Sequence, residues 1–227
     1  MIQFMSGLRS TAASTIPETV RQRVRARLRA GAFRDAGVAF IHVPRTAGTS
    51  ISSAVYGRFI GHFGLADLKA VGPRDVLTLP RFSVVRNPWD RLVSAWSFAR
   101  AGGGDSEVGT IRIHRPAQYA VPQFATFARF VEEWLDQREP GRIDGVFRPQ
   151  HGYLLDAGGA MDFTHVGRLE NIGQTEAWLS ATLGRPIAFQ PQNEAPRTDY
   201  RAYYTPRLRD IVARIYARDI ELLGYDF

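Results

Sequence analysis

Three short apolar runs punctuate the chain, and each is followed by a stretch with helical spacing. Val38 to Val43 is apolar throughout except at His42, which suits a strand covered on both faces of a parallel sheet. Pro44 ends it, because proline cannot donate to a strand ladder. Phe82 to Val85 is the second such strand and Phe163 to Val166 the third. Helices are expected over Thr49–Tyr56, stopped by Gly57; from Pro88, capped by Asn87; from Pro122 to about Gln137; up to about Leu183; and over Pro206–Leu223, stopped by Gly224. In the third of these, Phe124, Phe127, Val131, Trp134 and Leu135 share a face and read as core. The last has its stripe at Leu208, Ile211, Val212, Ile215 and Leu222. Strands alternating with helices make a single α/β domain, a mainly parallel central sheet flanked by helices. There is no internal repeat.

Ahead of the first strand, Pro17 opens a helix expected to end near Gly31, with Val20, Val24 and Leu28 as its packing stripe and Arg21, Arg23, Arg25, Arg27 and Arg29 around the rest. Such a helix can bind a membrane or nucleic acid, but a solvated outer face of a docked helix is the commoner arrangement. Residues 1–16 read as a loose lead-in, so the chain divides into 1–31, lead-in and basic helix, and 32–227, the domain proper. Ala101–Thr110 and Gln190–Thr198 read as loops.

The junctions after the first two strands carry the chemistry. In HVPRTAGTSI, His42 to Ile51, the break at Pro44 is followed by Arg45, three hydroxyls (Thr46, Thr49, Ser50) and the small residues Ala47 and Gly48, where a helix must begin. Free N–H groups and the helix dipole favour an anion there. The spacing GxxxxGK[ST] of the nucleotide-triphosphate loop is absent. RNPWDRLVSAWSF, Arg86 to Phe98, repeats the strand–cap–helix pattern, and both helix starts fall on one edge of a parallel sheet.

The 227 residues suffice for a real core, and the net charge of +7 favours anionic partners. With no cysteine, disulfides, thiolate nucleophiles and Cys-based zinc sites are excluded. No apolar run approaches the roughly 20 residues of a membrane span. A cytoplasmic location is expected.

FIHVPRTAGTSI and FSVVRNPWDRLVSAW together resemble the two signature elements of the membrane-type carbohydrate sulfotransferases (sulfotransferase family 2), enzymes that move sulfuryl from 3′-phosphoadenosine 5′-phosphosulfate (PAPS) to a hydroxyl. GRLENI and the C-terminal YRAYYTPRLRDIVARIYARDIELLGYDF are similar to that family's tail, so the likeness runs over roughly Val38 to Phe227. It implies the P-loop-like sulfotransferase fold and, lacking an anchor here, the soluble bacterial branch. It also implies that Arg45, Thr46, Ala47, Gly48, Thr49 and Ser50 hold the 5′-phosphosulfate and that Arg86 and Ser94 hold the 3′-phosphate. Arg86 could instead pair with Asp90, and Ser94 could merely pack.

The family usually has lysine at the position of Arg45. Arginine keeps the charge and grips two oxygens, but cannot give up its proton, so it can stabilise a leaving oxygen electrostatically only. IGHFGLADLKAV resembles the family's segment bearing the catalytic histidine, which makes His62 the expected base, with His42 the runner-up. His114, His151 and His165 are scattered, and no metal is expected. Glu170 reads as a structural or acceptor-side group. The competing readings are a phosphate-loop nucleotide kinase and a basic nucleic-acid-binding protein.

Overall fold

The computed structural model describes residues 17–104, 111–190 and 199–227. The lead-in, most of the glycine loop and the proline-containing loop before Asp199 therefore lie outside the described residues.

Three parallel strands form the central sheet in the order β1 (Ala39–Ile41), β2 (Arg81–Val85), β5 (His165–Arg168), with β2 in the middle. Phe40 pairs with Phe82, and Phe82 with His165. Every residue from Val38 to Val43 is buried, as the unbroken apolar run requires. The third strand begins two residues later than its sequence suggests. A two-residue antiparallel pair, β3 (Gly103–Gly104) with β4 (Ile111–Arg112), stands apart from the sheet.

The helices are α1 (Glu18–Ala36), α2 (Gly48–Tyr56), α3 (Leu65–Val71), α4 (Arg74–Leu77), α5 (Pro88–Arg100), α6 (Phe127–Arg129), α7 (His151–Leu154), α8 (Ile172–Leu183), α9 (Pro206–Ile215) and α10 (Ala217–Leu223). The helix expected from Pro122 to Gln137 is instead a 3₁₀ turn at Pro122–Phe124, then α6, then a π-helical turn over Phe130–Leu135. Its five apolar residues are nonetheless all buried.

Two apolar clusters make the core. One gathers the sheet with α1, α2, α3, α7 and α8, and the other gathers α5, the aromatic segment 119–147, α9 and α10. The C-terminal ends of β1 and β2 reach the seam between them.

Two stripes differ from the sequence reading. The last helix breaks at Tyr216, and the buried row is Leu208, Val212, Tyr216, Asp219 and Leu223. Ile211, Ile215 and Leu222 are only partly buried and pack at the margins of the two clusters. In α1, which runs on through Gly31 to Ala36, the buried residues are Ala26, Ala30 and Phe33, while Val20, Val24 and Leu28 are 46%, 52% and 67% exposed. The alanines let the helix axis come close to the core. Arg29 and Arg25 then reach the carbonyls of Ile60 and His62 (3.0 and 3.3 Å). Long polar side chains thus dock this helix along one edge, and its aliphatic row is left outside.

Candidate active site

The loop after β1 is built around a histidine ring. A Cβ on Gly48 would lie 1.8 Å from Nε2 of His42, so only glycine lets α2 start against that imidazole. Arg45 and Ala47 both take left-handed backbone conformations (φ 69° and 60°), a strained choice for residues with a Cβ. Thr46 is fully buried and donates its hydroxyl to the carbonyl of Val43 (2.8 Å). Gly48→Ala is expected to lower thermal stability by about 1–3 kcal/mol and to weaken anion binding at the same turn. A variant melting like the parent would show that the His42 ring can move aside freely.

The two helix starts are not equivalent. Among the described residues no side chain caps α2 at Ala47, so no cap occupies the N–H groups of its first turn. At α5, Asn87 caps the end by accepting from the Trp89 N–H (3.0 Å), and Glu170 accepts from the Asn87 N–H (2.6 Å) and from the Tyr225 hydroxyl (3.0 Å). The tip of α5 is thereby closed by protein groups. Glu170 serves this closure, and Ser94 sits farther along the flank of the helix.

The arginines converge on that flank. Arg45 donates through Nε and Nη2 to Ser94 Oγ (3.1 and 3.0 Å) and lies 4.5 Å from the centre of the Phe98 ring. Arg86 is buried and makes a two-pronged pair with Asp90 (2.7 Å for each prong), while its Nη1 donates to the carbonyl of Arg45 (3.4 Å). The structure thus brings Arg45, Ser94 and Arg86 together, with Thr49 and Ser50 on the first turn of α2.

His62 is held by a single directional contact. Its Nδ1 lies 3.1 Å from the carbonyl of His42, and since a carbonyl only accepts, Nδ1 carries the proton and Nε2 keeps its lone pair. The two imidazoles are 4.1 Å apart, with Phe59 edge-on to both. Burial lowers the His62 pKa to about 4, against the opposing effect of the bond to His42; Arg25 and Arg91 lower it further, and Asp144 raises it. His42 is pushed well down too, by burial first and then by His62, and its buried Nδ1 has no hydrogen-bond partner. At neutral pH both rings are uncharged.

The sequence reading missed three polar residues that hold this arrangement. Arg91, fully buried, donates to the carbonyls of Pro44 (2.8 Å) and Val146 (3.2 Å). Gln150 clasps the backbone N–H and carbonyl of Arg86 (3.0 and 2.8 Å), and Asp219, also fully buried, accepts from the N–H groups of Gln150 and His151 and from His151 Nδ1 (2.6, 2.8 and 2.7 Å). Asp219 was detectable in principle, as an acid on the row of Val212, Tyr216 and Leu223.

The remaining histidines stand elsewhere: His151 against Asp219, His165 stacked on Trp178 at 4.8 Å. Among the described residues no group of three His, Asp or Glu side chains is placed to hold a metal ion. A groove of about 400 Å³ lined by Trp89, Arg209, Ala213, Ile220 and Phe227, among others, contains none of the candidate residues.

Residues 73–226 match the sequence model of the Sulfotransferase family, a match that takes in Arg86, Ser94, Glu170 and Asp219. The chain belongs to the sulfotransferase family. Membership supports a transferase moving a sulfuryl group and leaves the kinase and nucleic-acid readings without support. No curated protein and no solved structure matches the chain. The loop of Arg45 and the segment of His62 precede the matched residues. The loop is tied to them by the bonds of Arg45 to Ser94, Arg86 to the Arg45 carbonyl, and Arg91 to the Pro44 carbonyl, and His62 is tied to the strand before that loop by its contact with the His42 carbonyl.

Proposed function

We propose that this chain is a PAPS-dependent sulfotransferase of P-loop-like fold. In this reading the loop Arg45–Ser50 receives the 5′-phosphosulfate, Arg86 and Ser94 receive the 3′-phosphate, and His62 is the base. The observation that carries it is the uncapped start of α2 beside Arg45, Arg86 and Ser94, in a chain of this family. Two anions bridged by one adenosine match one helix terminus and one cationic flank.

The reaction asks for positioning and charge stabilisation more than for covalent chemistry. His62 Nε2 takes the proton of the acceptor hydroxyl as that oxygen attacks sulfur, and the bond from sulfur to the bridging oxygen breaks. The α2 N–H groups and Arg45 then stabilise the negative charge gathered on the departing phosphate. Arg45 does this as a fixed cation and gives up no proton. The acceptor is a hydroxyl of a carbohydrate, a lipid or a small molecule.

Calorimetry with 3′-phosphoadenosine 5′-phosphate, the desulfo product, tests the reading directly: binding is expected with ATP much weaker, and no binding would overturn it. Transfer from labelled PAPS to a panel of glycans, lipids and phenols then identifies the acceptor.

For the 3′-phosphate subsite, Arg86→Ala is expected to weaken 3′-phosphoadenosine 5′-phosphate by about 1.5–3 kcal/mol, the scale of a charge-assisted hydrogen bond. Adenosine 5′-phosphosulfate, which lacks that phosphate, should bind parent and variant alike. Because Asp90 already occupies two prongs of Arg86, Asp90→Asn should instead tighten the product by releasing the guanidinium. Equal losses for both ligands on Arg86→Ala would assign Arg86 a purely structural part.

A further inference from the structure

We propose that the outer face of α1 is a docking surface for an anionic lipid membrane. Three of the four large apolar residues exposed among the described residues, Val20, Val24 and Leu28, stand on this one helix. Spaced four apart, they form a continuous row about 12 Å long. Arg23 and Arg27, both exposed, lie along one side of the row, and Arg21, paired with Glu18 at 2.6 Å, lies on the other. Arg23 is only loosely engaged, 3.9 Å from Asp67. The helix as a whole carries six arginines against two acids, Glu18 and Asp35.

Aliphatic residues framed by arginines are what a helix lying in a lipid interface presents: the row enters the acyl boundary and the guanidinium groups meet anionic headgroups. A nucleic acid would use the arginines and gain nothing from Val24 and Leu28. A second copy docked through the same face would set arginine against arginine. Arg25 and Arg29 of this helix also hold the carbonyls of His62 and Ile60, so a docked α1 carries the His62 segment to the lipid surface with it.

Flotation of the full chain with phosphatidylcholine vesicles, with and without phosphatidylglycerol, tests this. The expected result is partitioning at least tenfold stronger onto the anionic vesicles and falling with salt. The exposed double substitution Val24→Gln, Leu28→Gln should lower it at least tenfold without shifting the melting temperature, and Arg23→Gln with Arg27→Gln should abolish the preference for anionic lipid. Equal partitioning of parent and variants, or none at low salt, overturns the proposal. So does a dimer in sedimentation that dissociates on Leu28→Gln, which would assign the face to a second copy. Binding of 3′-phosphoadenosine 5′-phosphate should be the same in all these proteins, so a failure of docking and a failure of the sulfotransferase reading are told apart.

Discussion

Replacing His62, the proposed base, by glutamine is expected to lower turnover by about 10²- to 10⁴-fold, the range for losing a positioned base, while affinity for 3′-phosphoadenosine 5′-phosphate stays within about twofold, since in that role the side chain meets the acceptor and not the nucleotide. The pH profile carries a second signature. An ordinary imidazole would lose its lone pair near pH 6.5, whereas the His62 pKa is lowered to about 4. Turnover should therefore hold on acidification past pH 6 and fall only as pH nears 4, unless the fold is lost first. Stability bears the same sign: between about pH 6.5 and pH 4 the unfolded chain binds a proton at this site that the folded chain refuses, so unfolding becomes easier as pH falls through that window. His42, also held well below its usual value, acts in the same direction. A His62→Gln enzyme of full activity, with His42→Gln inactive, would move the base to the strand.

The sequence made the scaffold readable where local rules and tertiary demands agree. The run Val38–Val43 is apolar at every position but His42 because both faces of β1 are covered, and Asn87–Pro88 opens α5 because a cap and a ring with fixed φ suit a first turn. The same rules misled in α1. Hydrophobic spacing assigned the inner face to Val20, Val24 and Leu28, but the contacts that dock this helix come from Ala26, Ala30 and Phe33, and from arginines reaching carbonyls on the 60–62 segment. A charged side chain satisfied by a backbone acceptor 30 or more residues away leaves no periodic trace. The depressed pKa of His62 is hidden for a related reason: it arises from burial and from Arg25 and Arg91, which only the fold brings near. The closure of the α5 tip depends on Glu170, 83 residues beyond Asn87. Two similar strand–helix junctions in sequence thus became one uncapped helix start and one closed one.

Arg91→Met is expected to be the most damaging change to the fold of the site. The substitution keeps length and apolar bulk, and it leaves the carbonyls of Pro44 and Val146 buried without the donors that now meet them at 2.8 and 3.2 Å. Hydrogen bonds from a charged donor contribute about 1.5–3 kcal/mol each, and an orphaned buried carbonyl adds its own desolvation cost, so a loss of about 3–5 kcal/mol follows. For a chain of this size that is a fall of roughly 6–20 °C in melting temperature. Burial also lowers the Arg91 pKa from its usual value, although a guanidinium keeps its charge at any working pH. Its placement rests on geometry: one planar fork reaches both the turn that precedes Arg45 and the segment that leads to Gln150. Lysine, with a single point of attachment, should restore one carbonyl at most and fall between the two. Because the Pro44 carbonyl precedes the left-handed turn at Arg45, releasing it should let that strained turn relax. Binding of 3′-phosphoadenosine 5′-phosphate should then weaken at least tenfold in Arg91→Met, even well below its melting temperature. Parent-like affinity in a variant that is destabilised as expected would separate the two effects, and would show that the loop keeps its shape without this arginine.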